Sequence, residues 1–171
     1  MTDLSIIHLR SAEFFGGPER AILGQCRSLP EFRFTCASFA RDEGPNRFLE
    51  EAAKLGLETA RIKDRFAGDI RVVGQLRRLI DDKKADLLIT QDYKANFFGR
   101  LAIRGRNTHQ ISHFRGYTLV DKKDKFYNII NAWTMRRIKI LLTVSKKSKT
   151  ILTSMGIPAQ RIIVVPNAIE D

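Results

Sequence analysis

The sequence has few cysteines and no long apolar run. Cys26 and Cys36 are its only cysteines among 171 residues, and neither has a C-x-x-C partner or the spacing of a metal site. We therefore predict that both are buried, reduced thiols. No apolar run approaches the roughly 20 residues of a membrane-spanning helix. The N-terminus also shows no basic segment followed by an apolar core, so the expectation is a cytoplasmic protein.

Several motifs of catalysis and cofactor binding are missing as well. The chain has no P-loop, no G-x-G-x-x-G fingerprint, no metal-ligand cluster and no Ser/His/Asp order typical of a triad. The missing fingerprint argues against an oxidoreductase with a nucleotide cofactor, an alternative that binding of reduced nicotinamide would reveal. What remains is ordinary for a soluble globular domain, with 43% hydrophobic and 29% charged residues.

Positive charge is concentrated in one part of the chain. The formal net charge is +11, from 30 basic and 19 acidic residues. Thirteen of the basic and two of the acidic residues lie between Arg100 and Lys149, so the rest of the chain holds seventeen of each. A basic surface of this kind attracts nucleic acid, anionic lipid or a phosphorylated substrate. The equally favoured alternative is a charged surface that is hydrated and binds no specific partner.

Residues 4–29 form the unit around which the chain is organised. An apolar run with β-branched residues ends at Arg10, and a loop containing Gly16, Gly17 and Pro18 follows. A helical pattern then begins, with apolar residues at three- and four-residue spacing: Ala21, Ile22, Cys26 and Leu29. Glycines permit close backbone approach, and the N–H groups that open a helix suit an anion such as phosphate. A plain strand-to-helix turn is the alternative.

Strand and helix patterns then alternate along the whole chain. The predicted strands are residues 5–10, 33–40, 57–62, 87–90, 108–113, 140–144 and 162–165. After the first helix, the predicted helices are residues 48–55, 70–80, 93–104, 121–138 and 147–155. We expect one α/β domain over residues 1–171, with a Rossmann-like, doubly wound parallel sheet of about seven strands in the order 3-2-1-4-5-6-7 and helices on both faces.

The helix predicted over residues 121–138 combines an apolar side with a basic one. The apolar side contains Phe126, Ile129, Ile130 and Trp133, and the neighbouring cations are Lys122, Lys123 and Lys125. We expect most of the apolar side to pack on the sheet, as helices of this fold do. The basic edges would then remain for weak, salt-sensitive docking to an anionic membrane surface.

Ligands of open parallel sheets bind outside the carboxyl ends of the strands. The residues that follow the predicted strands supply the candidate substrate-binding set: Gly16, Gly17, Glu19, Asp92, Tyr93, Lys94, Gly116, Tyr117, Ser145 and Asn167. His113 and Arg115 are the candidate catalytic residues, since histidine serves acid–base chemistry and the arginine fork matches phosphate. Strand ends are polar in every such sheet, so a structural role is the alternative for each residue.

Four segments resemble the N-terminal domain of GT-B type retaining glycosyltransferases, glycosyltransferase family four (group 1). They are FFGGPERAIL, DLLITQDYKANFFGRLAIR, HFRGYTLVDKKDKFYNIINAWTMRR and LLTVSKKSKTILTSMGIPAQRIIVVPNAIED. The last is the most specific, because V-S-x-x-x-K-x-x-L…G-I-P…I-x-V-x-P-N-x-I leads to the hinge between the two domains of such enzymes. The resemblance spans nearly the whole chain but covers only half of such an enzyme.

The resemblance implies the acceptor-binding half of an enzyme of cell-envelope polysaccharide synthesis. Such an enzyme moves a sugar from a nucleotide-sugar to a glycan or a lipid-linked, lipopolysaccharide-type acceptor. A second Rossmann-like domain, absent here, would hold most of the donor, so this chain alone is expected to be inactive. The donor is a substrate, and neither a cofactor nor a metal is implied. The expected location is the cytoplasm, with docking to the inner face of the membrane; a nucleic-acid-binding module is the alternative.

One position departs from the family pattern. The family usually has a histidine directly before the glycine that follows strand five, as in H-G-[WY]-T. Here the sequence reads R-G-Y-T, with Arg115 in that position, and His113 lies two residues earlier. Either His113 takes the role of the usual histidine, or Arg115 replaces it with a permanent cation.

Overall fold

The computed structural model describes residues 4–11, 15–41, 44–115 and 122–166, with the backbone alone for residues 122–128. The strands are β1 Ser5–Arg10, β2 Arg33–Ala40, β3 Glu58–Lys63, β4 Leu87–Thr90, β5 His109–Phe114, β6 Ile140–Thr143 and β7 Ile162–Val164. The helices are α1 Gly17–Ser28, α2 Arg47–Lys54, α3 Arg71–Asp82, α4 Tyr93–Ala102, α5 Lys122–Met135 and α6 Lys146–Ser154.

The seven strands form one sheet in which all neighbours are parallel. Their order is β3-β2-β1-β4-β5-β6-β7, so the predicted fold and strand order are confirmed. Every strand end lies within one residue of its predicted position. Central β1 pairs with β2 and β4, and Ile7 lies opposite both Thr35 and Leu88. The first strand and the glycine loop after it therefore stand in the middle of the sheet.

Alternation along β1 assigns its side chains to two faces. Ile6 packs on the first face, beneath α1 and α2, in a cluster that contains Cys26 and Cys36. Both cysteines are buried and free, as predicted. Ile7 and Leu9 pack on the second face, beneath α3 and α4. The helices therefore cover both faces of the sheet.

The later helices lie on the second face. Met135 of α5 and Leu152 of α6 pack together with Phe114 and Leu141 of the sheet. On the first face, the described part of the chain places no helix over β6 and β7. Apolar side chains there are accordingly exposed: Ile140 by 40%, Ile163 by 49% and Val165 by 45%.

Helix ends follow local chemistry. Pro18 lies in the first turn of α1, and Gly56 after α2 has a φ of +73°, the left-handed conformation that is usual for a glycine after a helix. The prediction for α3 is wrong at its start, because Ile70 is 62% exposed and lies outside the buried stripe. Asp69 accepts hydrogen bonds from the N–H groups of Arg65 and Arg71, so the helix begins after Ile70.

Helix α5 shows a side to solvent that we predicted to be buried. Ile129 is 67% exposed and Trp133 is 49% exposed, so the expectation that most of this apolar side packs on the sheet is wrong for these two residues. Ile130 is half-buried, and the Phe126 side chain lies outside the described part of the chain. The buried stripe instead contains Asn131, Thr134, Met135 and Ile138.

A buried hydrogen-bond network explains this orientation of α5. The Asn96 amide of α4 donates to Oδ1 of Asn131 over 2.8 Å, and Asn96 Oδ1 accepts from Thr90 Oγ1 over 2.6 Å. Gln110 Nε2 donates to the Asn96 carbonyl over 3.0 Å. Because a buried amide without partners costs about 1–3 kcal/mol, this network outweighs burial of another apolar side chain.

We predict that Asn96→Leu lowers the free energy of unfolding by about 2 kcal/mol, since it removes the donor to the buried Oδ1 of Asn131 and one of the hydrogen bonds of Thr90. Urea denaturation would measure the loss. The double variant Asn96→Leu/Asn131→Leu should recover part of it, because both partners of one bond are then apolar. Asn107→Leu, at an exposed position, is the matched control and should change little. Equal losses at positions 96 and 107 would contradict the role of the network.

Candidate functional site

Four polar side chains meet on the first face at the carboxyl end of the sheet. Leu9 lies opposite Thr90, and Thr90 lies opposite Ser112. The next residue of each strand therefore falls in one row and points to the other face, which places Arg10, Gln91 and His113 side by side. Arg115 follows two residues after His113 and belongs to the same face. We call Arg10, Gln91, His113 and Arg115 the rim cluster.

An ion pair joins the end of β1 to the start of α1. Arg10 Nη2 lies 2.8 Å from Glu19 Oε1, and the Glu19 side chain is only 1% exposed. The other carboxylate oxygen of Glu19 accepts the backbone N–H of Gly16 over 2.8 Å. Glu19, a predicted substrate-binding residue, is thus engaged with the protein on both oxygens. Its contacts hold the glycine loop against the end of β1.

The glycine loop is open where α1 begins. Gly17 is exposed, and a Cβ added to it would meet no atom within 4 Å. Gly16 is half-buried and lies directly before the helix. Among the described residues, none therefore fills the space beside Gly17, at the helix end where backbone N–H groups favour an anion.

Arg115 contributes a second guanidinium to the rim cluster. It is half-buried, and its Nε donates to Gln91 Oε1 over 3.2 Å. Burial lowers the pKa of Arg115 most, the charge of Arg10 lowers it further, and Glu19 partly opposes both. An arginine remains protonated at neutral pH despite such a shift. Two guanidinium groups, those of Arg10 and Arg115, therefore lie close together at this end of the sheet.

His113 is uncharged at neutral pH. Burial lowers its pKa to about 4, and the nearby Arg115 and His8 contribute smaller decreases. Its Nε2 is buried and has no hydrogen-bond partner among the described residues. A neutral imidazole with an unused nitrogen can accept or donate one hydrogen bond to a ligand. Nε2 would carry the proton if the ligand presents an acceptor, and Nδ1 would carry it if the ligand presents a donor.

Other buried polar atoms on this face also lack partners in the described part of the chain. They are Nε of Arg10, Nε2 of Gln91 and both ring nitrogens of His8. His8 is fully buried on β1, two residues before Arg10, and its ring stacks on Phe34 with 5.7 Å between the ring centres. Buried polar groups are normally paired, so several unpaired ones at one end of a sheet are typical of a binding site.

The residues after β4 use their polar atoms within the protein. Asp92 caps α4 by accepting the N–H of Ala95 over 2.9 Å, and it also accepts the N–H of Ser11 over 2.6 Å. Lys94 forms a buried ion pair with Asp64, and its ammonium lies 4.4 Å from the ring centre of Phe39. Tyr93 is 40% exposed. Of these three predicted residues, Tyr93 presents the largest surface to a ligand.

The other predicted site residues are spread along the rim. Ser145 caps α6 by accepting the N–H of Ser148 over 3.1 Å. Gly116, Tyr117 and Asn167 lie outside the described residues. In the part of the chain that the structure describes, no group of three His, Cys, Asp or Glu residues could hold a metal ion.

Sequence reasoning left three residues out of the candidate set, namely His8, Arg10 and Gln91. His8 and Arg10 alternate with buried Ile7 and Leu9, so the period of two along β1 was the signal that could have found them. Gln91 follows β4 directly, but its face depends on the register between strands. Only the paired sheet shows that these side chains meet His113.

We predict that His113 makes the fold lose stability in acid. Its folded-state pKa of about 4 lies below the unfolded value near 6.5, so the unfolded chain binds the extra proton between these values. Stability should therefore be unaffected above about pH 6.5 and fall as the pH drops towards 4, by about 2–3 kcal/mol from this residue. Urea denaturation of His113→Gln should show a shallower pH dependence.

His109→Gln is the matched control, because His109 is exposed on the same strand. It should retain the pH dependence of the unsubstituted chain. If His113→Gln and the unsubstituted chain lose the same free energy between pH 7 and pH 4.5, the imidazole is not held neutral by the fold.

Solved structures share this fold over nearly the whole chain. Anabaena Alr3699/HepE in complex with UDP superposes with a TM-score of 0.81 at 15% identity, over 98% of this chain and 45% of that one. The apo lipopolysaccharide outer core galactosyltransferase WaaB gives 0.77 at 18%, over 97% and 46%. A UDP-N-acetylglucosamine 2-epimerase gives 0.69 at 15%, over 97% and 49%. At these identities the likeness shows the fold alone.

This chain therefore spans a little under half the length of these three proteins. Among curated proteins, none matches the sequence significantly. The sequence model of the glycosyl transferase 4-like domain matches residues 16–168, which include the glycine loop, the last strand and every member of the rim cluster except Arg10. The resemblance predicted from four segments is confirmed, and this chain belongs to the glycosyl transferase 4-like domain family.

Proposed function

We propose that this chain is the acceptor-side half of a retaining glycosyltransferase. The observation that carries the proposal is the net positive rim cluster beside an open glycine loop in a chain of this family. The Anabaena structures are complexes with UDP, with UDP and glucose, and with UDP-glucose, and WaaB is a lipopolysaccharide galactosyltransferase. The proposed substrates are a nucleotide-sugar donor and a glycan or lipid-linked acceptor.

Charge is the first contribution of the site. Sugar transfer from a nucleotide-sugar leaves negative charge on the departing diphosphate, and fixed cations near that position stabilise it. Arg115 fits this role, since its guanidinium is half-buried at the carboxyl end of the sheet, close to Arg10 and to Gln91. The N–H groups at the start of α1, next to exposed Gly17, supply partial positive charge from the same side.

Hydrogen bonding is the second contribution. Because the pKa of His113 is about 4, the imidazole is a neutral partner and not a general acid at neutral pH. In this proposal His113 orients a substrate hydroxyl through Nε2, and Arg115 provides the charge. The family position occupied by Arg115 thereby keeps a catalytic role, and His113 supports it.

Catalysis would depend on position and charge, without a covalent nucleophile from this chain. Of the described carboxylates at the rim, Glu19 is paired with Arg10 and Asp92 caps α4, so both are already engaged. A second Rossmann-like domain would hold most of the donor. This chain alone would then bind substrates weakly and have no transferase activity.

We predict that Arg115→Ala lowers turnover on the order of a hundredfold in an enzyme that contains this chain and its donor-binding domain, because it removes the cation next to the leaving diphosphate. His113→Ala should lower turnover less, since it removes one neutral hydrogen bond. Released nucleoside diphosphate would be the measured product. Arg27→Ala, at an exposed position in the last turn of α1, is the control and should leave turnover unchanged.

The two single variants separate the two roles. Loss in the Arg115 variant alone would remove His113 from the reaction. A larger loss in the His113 variant would reverse the assignment and return the usual histidine role to His113. If neither variant differs from the Arg27 control, the rim cluster is structural and the proposed site is wrong.

We further propose that α5 docks on the membrane that carries a lipid-linked acceptor. No helix in the described part of the chain has the length and apolar character to cross a bilayer, so contact would be peripheral. Exposed Ile129 and Trp133 lie one helical turn apart, and the Arg137 guanidinium stacks on the Trp133 ring at 3.7 Å. An aromatic ring next to a cation is typical of a surface that enters the headgroup region.

We predict that this chain co-sediments with anionic vesicles at low salt, and much less at physiological salt, where the Debye length is about 8 Å. Trp133→Ser should weaken the binding. Phe66→Ser is the matched control, because Phe66 is similarly exposed, by 57%, on the loop before α3. Equal binding to neutral vesicles, or a preference for mixed-sequence DNA over both lipids, would contradict membrane docking.

A further inference from the structure

A concave site lies at the end of the sheet opposite the rim cluster. It is a cavity of about 510 Å³ where β4, β5 and β6 begin and where α4 and α5 end. Its volume is within the range of roughly 300–1,000 Å³ that is usual for small-molecule pockets. Leu87, Ile103, Ile138 and Ile140 supply an apolar lining. We call this site the basic cavity.

Cations surround the basic cavity. Arg100, Arg104, Arg106, Arg137 and Lys139 line it, and no Asp or Glu does. They are five of the thirteen basic residues between Arg100 and Lys149 that account for the net charge of the chain. Residues that are distant in sequence are thus brought together, since α4 ends at one side of the cavity and the segment before β6 lies at the other.

Only two of these five cations have a side-chain hydrogen bond or ion pair within the described residues. Arg106 forms a two-bond ion pair with Asp81, at 2.7 and 2.6 Å. Arg137 donates to the carbonyl of Trp133 near the end of α5, where the negative end of the helix dipole stabilises a cation. In contrast, Arg100, Arg104 and Lys139 have no ion pair or hydrogen bond from their side chains within the described residues.

Like charges held close together repel, and the repulsion is relieved when an anion binds between them. A guanidinium presents two parallel N–H groups that match two phosphate oxygens. The cavity therefore offers cations for phosphate groups and apolar walls for an attached organic part.

We propose that the basic cavity binds a small phosphorylated molecule through its phosphate groups. A concave site favours this ligand over a bilayer or a nucleic-acid duplex, since both are too broad to enter a cavity of this volume. The proposal does not depend on the transferase function, because the cavity lies at the amino ends of the strands. A ligand bound there would leave the rim cluster at the carboxyl ends free.

The test is titration of this chain with inorganic diphosphate, followed by backbone amide NMR. We expect saturable shifts at Gly105 and Lys139, which line the cavity. The double variant Arg104→Ser/Lys139→Ser should weaken this response about tenfold, as expected for loss of charge-assisted hydrogen bonds. Arg78→Ser, at an exposed position of α3, should leave it unchanged.

Arg115→Ser separates this site from the rim cluster. Any response of the Gly16 and Gly17 amides should fall in that variant, and the response at Gly105 and Lys139 should persist. Absence of a response at Gly105 and Lys139 would overturn the proposal, as would equal weakening by Arg78→Ser. Larger responses of these amides to anionic vesicles or duplex DNA than to diphosphate would also overturn the proposal. They would indicate a surface that binds those partners instead.

Discussion

The buried ion pair between Arg10 and Glu19 is the interaction on which the candidate site depends. It lies at the junction of the central strand and the first helix, and Glu19 also accepts the N–H of Gly16. Loss of one partner of such a pair usually costs about 3–5 kcal/mol, because the other charge is left buried and uncompensated. The pair thus fixes the open end of α1 next to β1. It also compensates the charge of Arg10, one of the two guanidiniums of the rim cluster.

The cations at the two ends of the sheet differ in their burial and in their pairing with carboxylates. At the carboxyl end, the two cations of the rim cluster are half-buried, Arg10 is paired with Glu19, and a neutral histidine lies beside them. Such groups are held in place before a ligand arrives, which favours recognition of a specific geometry. At the amino end, cations surround an open cavity whose lining contains no Asp or Glu, and one of these cations, Arg106, pairs with Asp81. That arrangement favours attraction of a mobile anion, and it contains much of the positive charge of the chain.

Helix α5 connects these features through its orientation. Its buried side contains Asn131, which bonds to Asn96 of α4, so Ile129 and Trp133 remain at the surface. The segment after it carries Arg137 to the basic cavity. A polar network inside the domain therefore decides which apolar side chains are available outside it. Apolar content alone did not indicate this, since the helix carries apolar residues on more than one side.

The sequence by itself determined the alternation of strands and helices, the parallel sheet and the order of its strands. The alternation follows from local periodicity, which depends on short segments, and the strand order is that of the doubly wound fold to which this alternation points. Four segments also identified the family. Only the tertiary structure decided that Arg10, Gln91 and His113 share one row, that α5 turns Trp133 outward, and that Arg104 and Lys139 face one cavity. Each of these three features depends on the register or packing of segments that are far apart in the chain. The spacing of residues within a single segment encodes none of them.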